Sequence, residues 1–367
     1  MPGVANAEPG WRIALDTLVY SDTDNVNILS PQLGISRAVD EDGGEASVRV
    51  VVDAISAASV DVISQATTRF SEVRTEANLA LSKRLGKLLT GVSYRASHEP
   101  DYLSHSGYLS VQRRLGSADT TMRLGYGLTY DQVGMTGTAR SVFSENLTTH
   151  SADIGITQVL DKRTLARVVY TFTAQDGYME KPYRFVSMFD SMTLANANAS
   201  GITINGSNVD DYRLATKPPE NVPDTRLRHA LATRLMRYMP SLGASLRLDY
   251  QFYLDSWGMT AHVLEPAIHK QLGRFTATVR ARLYTQSAVS FWRREYVADA
   301  GMLPKWRSAD RELSPLGSAT GAARLEMKIG KFSGYVEGST MYTKFHDFLF
   351  LDDRVAFIGM TGLRWTP

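Results

Sequence analysis

Apolar and polar residues alternate one by one along much of the chain. In residues 246–255 (LRLDYQFYLD), the even positions carry Leu, Leu, Tyr, Phe and Leu, whereas the odd positions carry Arg, Asp, Gln, Tyr and Asp. Successive side chains of a β-strand point to opposite faces, so this pattern predicts a strand with one apolar and one polar face. The same alternation recurs at residues 121–131, 165–175 and 274–286.

Short turns and long loops separate these segments in alternation. Tight turns, most of them with a glycine and a basic residue, lie at 40–45, 83–87, 113–119, 160–164, 238–243, 270–274 and 328–331. Longer irregular segments lie at 132–146, about 177–223 and 292–312. Short turns at one end and long loops at the other are typical of outer-membrane barrels, whose short turns face the periplasm. Seven short turns connect eight hairpins, which predicts sixteen strands with both termini on the periplasmic side.

The predicted strands have the length of a tilted transmembrane strand, which needs about 9–11 residues. Residues 227–239 and 322–329 also have helical spacing, but each ends at one of the short turns, which favours strands. The strands are assigned to 11–21, 28–39, 45–55, 68–82, 87–97, 102–114, 119–131, 147–160, 164–176, 224–238, 243–255, 259–270, 274–288, 313–328, 332–346 and 354–366. The predicted fold is therefore all-β: a transmembrane antiparallel β-barrel of about sixteen strands, with long extracellular loops.

Composition narrows the class of protein further. No run of about 18 or more apolar residues occurs, which excludes a helical membrane bundle, and the mean hydropathy of -0.20 suits a wall in which apolar and polar residues alternate. The chain has no cysteine, so disulfides and thiolate metal sites are excluded. The net charge of +2 gives no basic excess, so we expect no nucleic-acid partner.

The sequence predicts one domain. Residues 1–10 form an N-terminal segment that would follow removal of a signal peptide, and residues 11–367 form the barrel in the bacterial outer membrane. The first residues, MPGVANAEPGW, have no basic head and no apolar run, so this start alone fits a mature exported chain and a cytoplasmic protein equally well.

Many charged residues lie on the polar face of the predicted strands. An Arg or Lys that faces lipid at mid-depth costs about 2–4 kcal/mol, so these side chains must face a wet or paired interior. The predicted lumen-lining residues are Glu72, Arg74, Glu76, Arg123, Arg167, Arg247, Asp249, Asp255, Arg280, Arg282, Arg324, Glu326 and Glu337. A barrel of this size leaves an aqueous channel unless something fills it. The polar segment 180–222 either folds inward as a constriction or stands outward as a flap.

The sequence does not predict an enzyme. It contains no GxSxG nucleophile elbow, no phosphate-binding P-loop and no HExxH zinc motif. His98, Glu99 and Asp101 lie together on one short loop and are a candidate site for a divalent cation, but a polar hairpin tip is the simpler interpretation. We therefore expect neither a metal nor a cofactor.

Four stretches resemble the recurrent motifs of a family of uncharacterised bacterial outer-membrane barrel proteins, known only as a domain of unknown function. They are TRFSEVRTE at 68–76, GYMEKPYRFV at 177–186, PDTRLRHAL at 223–231 and SADRELSPLG at 308–317. The resemblance spans most of the chain from about residue 11 and implies an outer-membrane barrel, with no activity attached. The Tyr-Arg and Asp-Arg pairs in these motifs suggest a clamp that holds the loops over the barrel mouth, with a ligand or partner site as the alternative.

Three functions fit the sequence. The leading one is a porin-like channel for passive diffusion of small hydrophilic solutes or ions through a charged lumen. The second is a plugged or narrow barrel that anchors or scaffolds a periplasmic protein or a lipoprotein. The third is a soluble, secreted all-β protein. The expected surroundings are outer-membrane lipid and lipopolysaccharide, and the oligomeric state, monomer or trimer, stays open.

Overall fold

Sixteen antiparallel strands close into one barrel, in the order in which they occur along the chain. The computed structural model describes residues 10–40, 43–57, 70–116 and 119–367. The fold predicted from the alternation is confirmed. Apart from Gly10, the predicted N-terminal segment 1–10 lies outside the described residues, as do residues 68 and 69 of the first motif. Among the described residues, no helix is long and apolar enough to cross a membrane.

The strand boundaries agree with the predicted ones to within a few residues. The barrel consists of β1 (Trp11–Asp22), β2 (Val26–Ala38), β3 (Glu45–Ala57), β4 (Phe70–Leu85), β5 (Leu88–His98), β6 (Tyr102–Leu115), β7 (Thr120–Val133), β8 (Glu145–Asp161), β9 (Thr164–Gly177), β11 (Thr225–Met239), β12 (Ala244–Asp255), β13 (Thr260–Leu272), β14 (Phe275–Gln286), β16 (Leu316–Ile329), β17 (Phe332–Phe345) and β18 (Asp353–Trp365). Both stretches with helical spacing are strands, since they lie in β11 and β16.

The remaining elements lie in the long loops. Strands β10 (Met188–Phe189) and β15 (Tyr296–Val297) pair in parallel and join the two longest loops to each other. Among the described residues, the α-helices are α1 (Ser191–Ala199) and α2 (Val209–Tyr212). Asp190 caps α1, because its carboxylate accepts the Thr193 N–H at 2.7 Å.

The first and last strands close the barrel, and tight glycine turns connect its hairpins. β1 pairs with β18 from Ile13 opposite Trp365 to Asp22 opposite Ala356. The short turn between β13 and β14 places Gly273 at φ 61°, a backbone conformation that glycine adopts without a steric penalty. This requirement explains why glycine marks so many of the turns predicted from the sequence.

The outer wall of the barrel is apolar. On β14, Val279 and Leu283 are 55% and 52% exposed, whereas Arg280 and Arg282 between them are only partly exposed on the interior face. Exposed Leu, Val, Ile and Tyr side chains continue this wall on the other strands. An apolar outer wall of this kind needs lipid around it, so the chain is an outer-membrane barrel.

Three loop segments pack together across the outer mouth, and we call them the outer cap: residues 178–224, 287–315 and 346–352. Its buried apolar side chains include Phe189, Ile204, Val209, Val289, Trp292, Phe348 and Leu349. They pack in one cluster with Leu316 and Phe345, which lie at the outer ends of β16 and β17. The polar segment 180–222 is therefore part of a folded cap that rests in the mouth.

Candidate functional site

The interior faces of β11 to β14 carry a connected row of arginine and carboxylate side chains. Arg234 makes two hydrogen bonds to Asp249, at 2.7 Å and 2.8 Å. Arg247 lies between two carboxylates, 3.2 Å from Asp249 and 2.5 Å from Glu265. Arg282 reaches the other oxygen of Glu265 at 4.0 Å. Three arginines and two carboxylates thus form one network.

A second network continues from β14 to β17. Arg280 pairs with Glu337 across the intervening strand β16, over the small side chain of Ala322. Arg324 lies 3.9 Å from Glu337 and 3.3 Å from Glu326. Together with the first network, these residues are called the mid-lumen networks, and they bring together seven of the predicted lumen residues.

Water reaches the mid-lumen networks. The side chains of Arg234, Arg280 and Arg282 are 41%, 39% and 41% exposed although they lie on the interior face. Ion pairs with this exposure contribute little to stability, because solvent screens them. Their charges remain available to act on ions in the lumen.

Three other predicted residues lie elsewhere on the interior wall. On β4, Arg74 donates to Asp53 at 2.7 Å and Glu76 lies 3.5 Å from Arg95. On β9, Arg167 is the register partner of Arg234, and neither the ion pairs nor the hydrogen bonds of the described residues include Arg167.

Arg123 is held by an aromatic bridge. It donates to the Tyr108 hydroxyl at 3.2 Å, and Tyr108 donates to Asp153 at 2.5 Å. The Tyr108 side chain crosses β7 at Gly125, where a Cβ would lie 1.9 Å from the tyrosine oxygen. Only glycine leaves room for this crossing, so the position of Arg123 depends on Gly125.

Asp255 differs from the other predicted lumen residues. Its carboxylate accepts from Arg226 at 2.8 Å, and the two side chains are 0% and 9% exposed. The Arg226 guanidinium also lies 4.2 Å from the centre of the Trp257 ring. Asp255 therefore does not face water, and its predicted place on the pore wall is wrong because the β12–β13 turn and the outer cap cover it.

The clamp predicted from the motifs is present at the base of the outer cap. Arg184 donates to Asp310 at 2.6 Å and lies 3.4 Å from Glu220, which joins the two longest loops. Glu220 also accepts from the Ser308 hydroxyl and from the Lys181 N–H.

Further pairs attach the cap to the barrel. Arg311 donates at 2.5 Å to Asp24, which lies in the β1–β2 turn. The Tyr183 hydroxyl donates to Asp101, which lies in the β5–β6 turn. Two of the four motifs, at 177–186 and 308–317, therefore supply the pairs that hold the cap, as the structural interpretation of the clamp predicts.

Three carboxylates lie close together beneath the outer cap. Oxygens of Glu72, Glu99 and Asp101 are all within 4.8 Å of one another. His98 is not one of the group, so the predicted set of His98, Glu99 and Asp101 is wrong in that member: the strand alternation turns His98 to the outer face, and Glu72 of β4 takes its place. Burial raises the pKa of Glu99, and the nearby Arg74 lowers it. A carboxylate group alone does not establish a cation site.

Several participants were not predicted from the sequence. Arg234 lies in residues 227–239, and the helical spacing of that stretch obscured which strand face carries it. Glu265 lies between Val263 and Ala267 on the interior face of β13, and these apolar neighbours obscured its place on a polar face. Arg226 belongs to a quoted motif, and the alternation of β11 places it beside Arg228 and Arg234 on one face.

Comparisons with known proteins agree with this architecture. The model of a family described as protein of unknown function (DUF3570) matches residues 65–346. No curated protein matches the sequence. A bacterial polysaccharide outer membrane secretin is similar in structure, with a TM-score of 0.53, 8% identity, and coverage of 97% of this chain and 98% of that chain. CdiB from Acinetobacter baumannii also gives 0.53 at 8% identity, and the match covers 98% of this chain but only 60% of CdiB. These similarities show the outer-membrane barrel fold.

Proposed function

We propose that this chain, which belongs to the DUF3570 family of proteins of unknown function, is an outer-membrane channel for passive diffusion of small hydrophilic solutes or ions. The observation that carries the proposal is the solvent exposure of the mid-lumen arginines. A sealed interior of this polarity would leave charged side chains without water, at a cost of several kcal/mol per ion. A wet lumen avoids that cost and gives solutes a path.

The charges favour anions. The first mid-lumen network has three arginines against two carboxylates, and Arg167 lies beside it without an ion pair among the described residues. An excess of one sign of charge in a lumen raises the local concentration of the opposite ion. The proposed channel therefore prefers small anions, including carboxylates and phosphates.

The outer cap favours a second candidate function. Its buried core and its clamp cover the outer mouth in the described structure. If the cap does not move, the barrel is plugged and serves as an anchor or scaffold for a periplasmic protein or a lipoprotein. If it moves, the cap limits how often the channel opens.

Conductance of the purified protein in a planar bilayer separates the two candidates. We expect openings whose reversal potential in a salt gradient indicates anion preference, and Arg282→Glu should shift that potential toward cations by changing the local charge by two units. The matched control is Arg163→Glu, the same change in the exposed β8–β9 turn, which should leave selectivity unchanged. Folded protein that inserts but never conducts would contradict the channel and support the scaffold.

A further inference from the structure

Four histidines on the outer wall each share a hydrogen bond with a tyrosine of the neighbouring strand. Each bond joins the tyrosine Oη to the histidine Nδ1, over 2.6 to 2.9 Å. The pairs are Tyr94–His105, Tyr126–His150, Tyr170–His229 and Tyr250–His262. All four tyrosines belong to the exposed outer face. We call these eight residues the Tyr–His belt.

The four pairs have the same geometry. In every case the histidine lies opposite the residue two positions beyond the tyrosine, namely Ala96, Leu128, Phe172 and Phe252. Each pair joins two neighbouring strands of the barrel: β5 with β6, β7 with β8, β9 with β11, and β12 with β13. The belt therefore runs without a gap along half of the sixteen strands, and no such pair occurs among the described residues of the other half.

The belt marks one boundary of the apolar band. Eight positions from each histidine toward the periplasm, the same outer face carries a basic or amide side chain: Arg113, Gln158, Arg237 and Lys270. Eight residues at about 3.3 Å per residue, tilted by about 40°, rise roughly 20 Å along the barrel axis. The apolar band of such barrels is about 25 Å tall. The histidines therefore lie at the outer boundary between acyl chains and headgroups.

The second nitrogen of each imidazole has no partner among the residues that the structure describes. Nδ1 is engaged by tyrosine, and among the described residues no hydrogen bond reaches the Nε2 of these four histidines. When the tyrosine donates to Nδ1, Nε2 carries the proton and is a donor. An N–H at the edge of the hydrocarbon layer is costly without an acceptor, so each Nε2 donor requires one from the headgroup region.

We propose that the Tyr–His belt binds phosphate groups on the headgroups of outer-leaflet lipids. Phosphate oxygens are strong acceptors at the depth where the four Nε2 donors lie, and their negative charge strengthens each hydrogen bond. The tyrosines lie two positions deeper in the apolar band and fix the orientation of the rings. Because the donors repeat across half of the wall, several phosphates of one lipid layer bind side by side along β5 to β13.

Lipid binding to the full-length protein in detergent tests the proposal. The probes are bisphosphorylated lipid A and the same lipid with its phosphates removed, and native mass spectrometry gives the two affinities. The wild-type protein should prefer the phosphorylated form by about tenfold or more, the effect expected of charge-assisted hydrogen bonds. A variant with His105→Gln, His150→Gln, His229→Gln and His262→Gln should lose that preference.

Two further variants keep the test decisive. Tyr94→Phe, Tyr126→Phe, Tyr170→Phe and Tyr250→Phe, combined in one chain, preserve the aromatic wall and should weaken the preference by several-fold, because the imidazoles lose their tether. The matched control changes two histidines that do not lie on the outer wall, with His269→Gln and His346→Gln, and should keep the wild-type preference.

Three results would overturn the proposal. The first is equal affinity of the wild-type protein for both lipids. The second is competition by inorganic phosphate at matched phosphate concentration, which would indicate a site for free anions. The third is a change of oligomeric state in the belt variants without a change in lipid preference, which would make this half of the wall a contact with a second copy of the chain.

Discussion

Arginine–carboxylate pairs occur at two levels of this barrel, and water reaches them very differently. In the mid-lumen networks, Arg234 and Arg280 keep a large exposed fraction, whereas Arg226 and Asp255 at the outer mouth are buried. A buried pair is costly to break because the remaining charge is left without water or a partner. The same residue types therefore build a rigid mouth at one level and leave charges free to meet solutes at the other.

The largest expected effect is at the buried level. Asp255→Asn leaves the Arg226 guanidinium without its counter-charge and should lower the free energy of unfolding by about 3–5 kcal/mol. The matched change Asp249→Asn in the mid-lumen should cost about 1 kcal/mol, because its partner Arg234 is 41% exposed to water and Arg247 still pairs with Glu265. Urea unfolding followed by heat-dependent electrophoretic mobility measures both. Equal losses would remove the distinction between the two levels.

A smaller effect is expected where the outer cap is clamped. Arg184→Gln removes the ion pairs to Asp310 and Glu220 and should raise proteinase K cleavage within residues 178–224 by about tenfold to a hundredfold, while the strands stay intact. The control is Arg213→Gln in the same segment, whose partner Asp210 is 75% exposed. Cleavage that rises equally in both variants would show that the clamp does not hold the cap.

The smallest expected effect is a pH dependence of the same cap. Burial raises the pKa of Glu220 above its ordinary value, and the attraction of Arg184 lowers it by less. A carboxyl with a raised pKa in the folded state stabilises that state at low pH, and this contribution is lost as the pH rises through the folded pKa. Cap cleavage should therefore increase with pH, by up to about tenfold for each unit of pKa difference.

Glu220→Gln provides the control for this pH dependence. The glutamine stays neutral at every pH and should flatten the curve of cleavage rate against pH. A slope of the opposite sign in the wild-type protein, or the same slope in the variant, would show that another group governs the cap.

The sequence predicts the barrel well because lipid imposes a strict rule on every strand. Leu246, Leu248 and Leu254 must share one face, so the period of two is visible wherever the wall meets acyl chains. The charges that pair inside the barrel obey no such rule. Arg280 meets Glu337 across a strand, and Arg311 meets Asp24 from the opposite end of the chain, so spacing along the sequence carries no sign of either contact.

The outer cap shows the same limit. Its core draws Phe189, Ile204, Trp292 and Phe348 from separate loops, and within each loop they are scattered among Ser, Asn and Gly without a period. Only the polar composition of segment 180–222 was visible, and that composition fits an inward fold and an outward flap equally. The motif arginines were visible as a cluster of residue types, but not the partners that make them a clamp.

The pairing of β1 with β18 has a consequence for biogenesis. Because Ile13 meets Trp365, the two strands that close the wall are separated by nearly the whole chain, a contact that forms slowly during folding. Until it forms, the free edges of β1 and of the growing sheet expose unpaired backbone groups that attract other chains. The polypeptide therefore needs protection in transit, and its last strand is the segment whose arrival ends that exposure.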